Sequence, residues 1–406
     1  MTTPPNPPPG FAFLLRNSSA QDETFRDAFA ILEKAIAARA FPGCALAVTL
    51  RGELIAHHAL GRFTYDPASP AVTIASIFDL ASVTKAIATT TMAMILYERG
   101  LLDLEAPVTA ILPEFLTNDD APRRRDVTLR MLLAHSSGLP AYEKLFLRTK
   151  TRDELLAAAL TTALAADPGT RAEYSDIGFI ILGIALERLA DEPLDTFCQR
   201  EIFGPLGMAN TAFNPPKSWK EKIVPTANEE RGAVKCGAGT PARVPSPPAA
   251  NSTGNDFRAR IIQAEVQDEN ASILGGIAGH AGLFAPAEDV ARFAHALLSA
   301  GRPILRPETV DLFTRRESGP EGTSRALGWD TPSSPSQSGK YFGPRSLGHL
   351  GYTGTSLWID PDRQLSITLL TNRTWPDCQI QAIKQVRPGF HDAVIEALAV
   401  RGESKK

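Results

Sequence analysis

The chain has 406 residues, 43% of them hydrophobic, enough to bury a large core as two or three small domains or as one two-lobed enzyme. Its 42 Lys and Arg nearly balance 45 Asp and Glu, for a formal net charge of -3. That balance offers no basic stripe for nucleic acid and no acidic tail, and it leaves a small-molecule partner as the default.

The opening MTTPPNPPPG is proline-rich and lacks apolar periodicity, so residues 1–19 are expected to form a disordered tail. The apolar run Phe11 to Leu15 ends at Arg16, too short for a signal-peptide core, and no later run reaches the length of a membrane span. A soluble, cytoplasmic protein is the expectation, unless a start assigned too late hides an export signal. Phe25, Phe29, Leu32 and Ile36 recur at helical spacing and predict a helix over Ala20 to Ala38. Cys44 to Leu50 and Leu54 to Leu60, joined at Arg51-Gly52-Glu53, read as a hairpin. Ser82 to Arg99 is rich in Ala and Met and is followed by Gly100, the pattern of a buried helix with a glycine cap.

Helices are predicted next at Leu129 to Ala134, Arg152 to Ala165, Asp176 to Ala190 and Leu194 to Phe203. Arg231 to Arg260 is too rich in Pro, Gly and Ser to pack and is expected to be an exposed loop insertion. A helix near Ala287 to Ser299 follows. Strands then return at Thr355 to Ile359 and Leu365 to Leu370 around Asp360-Pro361-Asp362, and a last helix runs from Phe390 to Val400. The fold class is α/β in the broad sense (α+β), one two-lobed domain over residues 20–406. An antiparallel sheet is drawn from about 20–102 and 301–406, and a helical lobe covers about 103–300. The site should lie between the lobes.

The chemistry centres on Ser82-Val83-Thr84-Lys85. Side chains three apart on a helix are neighbours, so the Lys85 amine can reach the Ser82 hydroxyl, and burial with the positive helix end disfavours the charged amine. A neutral amine can accept the serine proton, which a lone serine needs to become a nucleophile. S-x-x-K alone is a common pattern, and context gives it weight. Phe78-Asp79-Leu80-Ala81-Ser82-Val83-Thr84-Lys85 resembles the nucleophile helix of class C β-lactamases, DD-peptidases and related esterases. Leu132 to Pro140, Tyr174-Ser175-Asp176 in the place of Tyr-x-Asn, Phe203 to Met208, Gly275 to Phe284, and His349-Leu350-Gly351 in the place of Lys-Thr-Gly resemble further blocks of that family in order.

The resemblance implies a β-lactamase/transpeptidase-like fold and a serine hydrolase. Ser82 would be the nucleophile and Lys85 the proton-handling partner. Tyr174 would be a relay whose pKa a nearby cation lowers, and the backbone N–H of Tyr352 would form an oxyanion hole with that of Ser82. Asp176, His349 and Gly351 would meet the substrate, with Gly351 letting it approach the strand closely. Two departures bear on the substrate. Asp176 offers only acceptors where asparagine also donates, and His349 lacks the fixed charge of lysine but would carry a positive charge below its pKa. Esters or peptides with D-amino acids are therefore favoured, with a weak β-lactamase or a non-catalytic penicillin-binding or sensor protein as alternatives.

No cofactor is implied, and the oligomeric state is not set. Four cysteines without a CxxC pair signal neither zinc nor a redox dithiol and read as reduced thiols. His57-His58 would point to opposite faces of a strand, which disfavours a shared metal. The Gly275 to Gly282 run lacks the Lys-[Ser/Thr] of a phosphate loop and reads as a packing turn. Gln267 to Asn270 could line the site or cap a helix.

Overall fold

Along the strand Gly43–Leu50, residues Cys44, Leu46, Val48 and Leu50 enter one hydrophobic cluster while Ala45 and Ala47 enter another, the period of a strand covered on both faces. The computed structural model describes residues 18–116, 120–230, 257–400 and 402. The tail expected over 1–19 and the insertion expected over 231–260 lie largely outside that range. The strand belongs to a 7-stranded sheet in which Glu53–Gly61, Gly43–Leu50, Leu365–Thr371, Ser356–Asp360, Leu347–Leu350, Trp329–Asp330 and Arg325–Ala326 are successive neighbours. Every pairing is antiparallel, so the sheet joins both ends of the chain as expected.

Helices Arg26–Ala37 and Ile383–Val400 cover one face, packing Phe29, Leu32, Phe390 and Val394 against Leu46, Ile367 and Trp358. Val290 and Phe293 of the Ala287–Leu298 helix share the other cluster with Ala47, Leu357 and Leu370, and that core runs on into the helical region. There, Thr128, Thr151 and Ser175 cap the helices Leu129–Leu133, Arg152–Leu160 and Asp176–Ala190, each side chain accepting a backbone N–H of the first turn. Among the described residues no helix is long and apolar enough to cross a membrane.

The nucleophile helix, the C-terminal helix and the cysteines are among the features that depart from expectation. The helix predicted from Ser82 starts at Val83 and contains a π-helical stretch, Lys85–Thr90, before Thr91–Glu98. The Thr91 hydroxyl donates to the Ala86 carbonyl five residues back, and such side-chain bonds compete with regular helix pairing. The C-terminal helix begins at Ile383 rather than Phe390, running through Pro388, and so brings Lys384 and Arg387 to the site. Finally, Cys44 and Cys198 are free and buried, but Cys378 is disulfide-bonded, which corrects the reading of reduced thiols throughout. Spacing along a chain does not reveal which distant cysteine comes near.

Candidate active site

Ser82 sits in the turn that links the short strand Phe78–Asp79 to the nucleophile helix. Ala81 before it takes a left-handed conformation, φ 47°, which costs energy for a residue with a Cβ and persists only where neighbours enforce it. Asp79 is the enforcer. Its buried carboxylate accepts the N–H of Ala81 at 2.8 Å and that of Gln267 at 2.7 Å, and burial pushes its pKa up to about 6. The far wall is stitched to the same segment, because Thr353 donates to the Asp79 carbonyl at 2.7 Å and Thr355 to the Leu80 carbonyl at 2.9 Å.

Lys85 is fully buried, and its Nζ lies 2.9 Å from Ser82 Oγ, 2.6 Å from Asp176 Oδ1 and 3.0 Å from the His280 carbonyl. Burial pulls its pKa down while Asp176 opposes the shift, in line with the expected direction. The Ser175 cap that starts the Asp176–Ala190 helix fixes Tyr174 on one side and Asp176 on the other. His135, also buried, accepts the Ser175 N–H at 3.0 Å on Nδ1 and lies 4.7 Å from the Tyr174 ring. Tyr174 shares the pocket with Ser82 and Asp176, and Lys85 Nζ stands 4.8 Å from its ring centroid. Contrary to expectation its pKa is raised, first by burial and then by the Asp176 charge, so no cation makes it a ready phenolate.

His280 reaches Lys85 because Gly279 packs against the Asp176–Ala190 helix, where a Cβ would stand 2.2 Å from the Phe179 carbonyl. Asp268 accepts from His280 Nε2 at 2.8 Å and caps the helix Glu269–Ile273, while it and Gln267 also line the pocket. The two roles left open for this segment are thus both present. Ser82, Tyr174, Asp176, His349, Gly351 and Tyr352 line one pocket of about 310 Å³, the size of a small-molecule site. A larger cleft of about 580 Å³ near Leu297, Val310 and Leu347 has neither Ser nor Lys among its described lining residues.

A family model described as Beta-lactamase matches residues 28–385. The chain belongs to the β-lactamase family. A Bacillus subtilis (strain 168) protein named N-acetylmuramyl-L-alanine amidase is 33% identical over 84% of this chain and 79% of its own length. A putative D-alanyl-D-alanine carboxypeptidase of Escherichia coli (strain K12) is 30% identical over 74% of this chain and 70% of its own. Among solved structures, "EstCE1, a hydrolase with promiscuous acyltransferase activity" shares the fold with a TM-score of 0.72 at 22% identity, covering 93% of this chain and 100% of that one. The protein is a serine hydrolase of the β-lactamase family.

Its departures from the β-lactamase pattern take on a physical meaning in this pocket. His349 is buried, its pKa pushed down to about 3 by burial and the Lys85 charge. Nδ1 lies 2.9 Å from the Leu350 carbonyl, which can only accept, so the proton sits on Nδ1. The expected pH-switched charge on His349 is therefore absent at ordinary pH. Cations come instead from Arg325, whose guanidinium stands 5.5 Å from the Tyr174 ring centroid, and from Lys384, Arg373 and Arg387. Sequence reasoning missed all four because no motif marks them. Arg373 donates to the Tyr352 carbonyl and Arg387 to the Gly351 carbonyl, both at 2.6 Å, fixing the turn that carries the expected oxyanion N–H. Gly351 is needed for packing rather than substrate approach alone, since a Cβ there would stand 2.4 Å from the Leu80 carbonyl.

Proposed function

We propose that this hydrolase cleaves small esters, or amide bonds of peptides with D-amino acids, through an acyl-enzyme on Ser82. The observation that carries the reading is the contact of Ser82 Oγ with Lys85 Nζ at 2.9 Å, in one pocket with Tyr174. Ser82 attacks the carbonyl, Lys85 and Tyr174 handle its proton, and the N–H groups of Ser82 and Tyr352 stabilise the oxyanion. Tyr174 then protonates the leaving group, and water repeats the sequence on the acyl-enzyme.

A carboxylate on the substrate would be held by Arg325 and Lys384, since His349 is neutral. A relative named putative D-alanyl-D-alanine carboxypeptidase supports that substrate class, and one named N-acetylmuramyl-L-alanine amidase supports amide cleavage. The Cys378 disulfide favours a compartment more oxidising than the cytoplasm.

The test is a panel of activated esters, D-amino-acid peptides and cephalosporins, assayed side by side with wild type and Ser82→Ala. Esters or D-peptides should be turned over in preference to cephalosporins, and the alanine variant should be inactive on all. Preference for cephalosporins would support the weak β-lactamase reading, and no turnover of any substrate the non-catalytic one.

A further inference from the structure

The segments Gln267 to Asn270 and Gly275 to Gly282 meet beside Lys85, through Asp268 of the first and His280 of the second. The His280 ring, on a residue only 1% exposed, donates from Nε2 to Asp268 Oδ1 at 2.8 Å. The same oxygen accepts the Ala271 N–H at 2.8 Å, so Asp268 is itself held by the helix it caps, Glu269–Ile273. The backbone carbonyl of His280 accepts from Lys85 Nζ at 3.0 Å. The nucleophile helix pins the chain on either side of that carbonyl: the Thr89 hydroxyl donates to the Gly279 carbonyl at 2.6 Å, and the Thr84 hydroxyl accepts the Leu283 N–H at 3.1 Å. Between those pins the His280 peptide can still turn about its own φ and ψ. The ring bond to Asp268 removes that freedom.

The carbonyl matters because an amine has a direction. A neutral lysine amine carries two N–H groups and one lone pair in a tetrahedral array, and three groups stand around Nζ: Ser82 Oγ at 2.9 Å, Asp176 Oδ1 at 2.6 Å and the His280 carbonyl at 3.0 Å. The carboxylate and the carbonyl can only accept. With one N–H given to each, the lone pair is left facing the Ser82 hydroxyl. From this geometry we infer that Asp268 and His280 form a brace that aims the Lys85 lone pair at Ser82, both acting as positioning residues. The inference rests on the reading of Ser82 as nucleophile and Lys85 as acceptor of its proton. In that step Ser82 Oγ forms its bond to the substrate carbonyl carbon, the carbonyl π pair moves onto its oxygen, and the Ser82 proton passes to the Lys85 lone pair. Lys85 is then an ammonium with three protons for three acceptors, while Asp268 and His280 exchange no proton.

The experiment follows the burst of p-nitrophenol on acylation by p-nitrophenyl acetate, as a function of substrate concentration, in wild type, Asp268→Ser, Asp268→Asn, His280→Ala and the double variant Asp268→Ser/His280→Ala. Serine caps a helix about as well as aspartate but is too short to reach His280, so Asp268→Ser removes the brace and spares the helix. Asparagine keeps an acceptor for both bonds. Asp268→Ser and His280→Ala should each lower the maximal acylation rate about 10²-fold, the cost of misplacing a reacting group by about 1 Å, with the half-saturating substrate concentration unchanged. The double variant should lose no more than either single one, because the two side chains share one interaction. Asp268→Asn should recover the rate to within about tenfold of wild type. Thermal unfolding of each variant shows whether it is folded.

A folded Asp268→Ser or His280→Ala variant with the wild-type acylation rate would overturn the inference. So would an Asp268→Asn variant as slow as Asp268→Ser, or a loss that falls on the half-saturating concentration instead of the rate. The underlying reading of Ser82 and Lys85 fails by different results: no burst in wild type, or an unchanged burst in Ser82→Ala or Lys85→Ala.

Discussion

Replacing Gly351 by alanine tests whether the two walls of the site depend on each other. A Cβ at position 351 would stand 1.9 Å from Thr355 Oγ1 and 2.4 Å from the Leu80 carbonyl oxygen, wedged into the hydrogen bond that joins those two atoms at 2.9 Å. Ordinary contact begins near 3.4 Å, so the Leu80 carbonyl must retreat by about 1 Å. Leu80 is two residues before Ser82, and its N–H is tied to the Leu283 carbonyl at 2.9 Å, so the strained Ala81 turn takes up the movement. A displacement of about 1 Å at a reacting group costs about 10²-fold in rate, and overpacking costs about 1–3 kcal/mol of stability. Gly351→Ala should therefore lower kcat on p-nitrophenyl acetate about 10²-fold with a modest fall in Tm. Adding Thr355→Ala removes the nearer clash and should recover part of the Tm without recovering kcat. Wild-type kcat in Gly351→Ala would refute the reasoning.

Lys85→Ala and Tyr174→Phe should each lower kcat by about 10² to 10⁴, and the double variant should lose less than the product because the two share one proton path. A fully multiplicative loss in steady-state assays would show them working independently. Because His349 is held neutral down to about pH 3, its charge appears only as pH falls toward that value, and KM for carboxylate-bearing esters should not improve between about pH 8 and about pH 5.5 on its account. An improvement that vanishes in His349→Gln would contradict this. Arg325→Ala should raise KM for such substrates about tenfold and leave neutral esters unchanged; an equal rise for both would show that Arg325 does not read substrate charge.

Where local pattern determines structure, the sequence was legible. The Asp176–Ala190 helix appears with the predicted bounds because its Ser cap and apolar face are written in consecutive residues, and the strands of both chain ends lie within a residue or two of their predicted limits. Ser82, Lys85 and Tyr174 were recognisable as members of ordered motifs, and they meet. What local pattern does not carry was missed. The pairing of Asp176 with Lys85 spans 91 positions, and Arg325 reaches the pocket from a two-residue strand without periodicity. A last helix expected only from Phe390 left out Lys384 and Arg387, which the observed helix carries. The charges of His349 and Tyr174 depend on burial, so their pKa shifts could not be signed from composition.

The central claim is that Ser82 forms the covalent bond. Its most direct test is intact mass spectrometry with peptide mapping, after reaction with a slow-turnover ester trapped by acid quench. One acyl group per chain, located on Ser82 and absent from the Ser82→Ala variant, is the predicted result. An adduct mapped to another residue, or full ester turnover by Ser82→Ala, would contradict it.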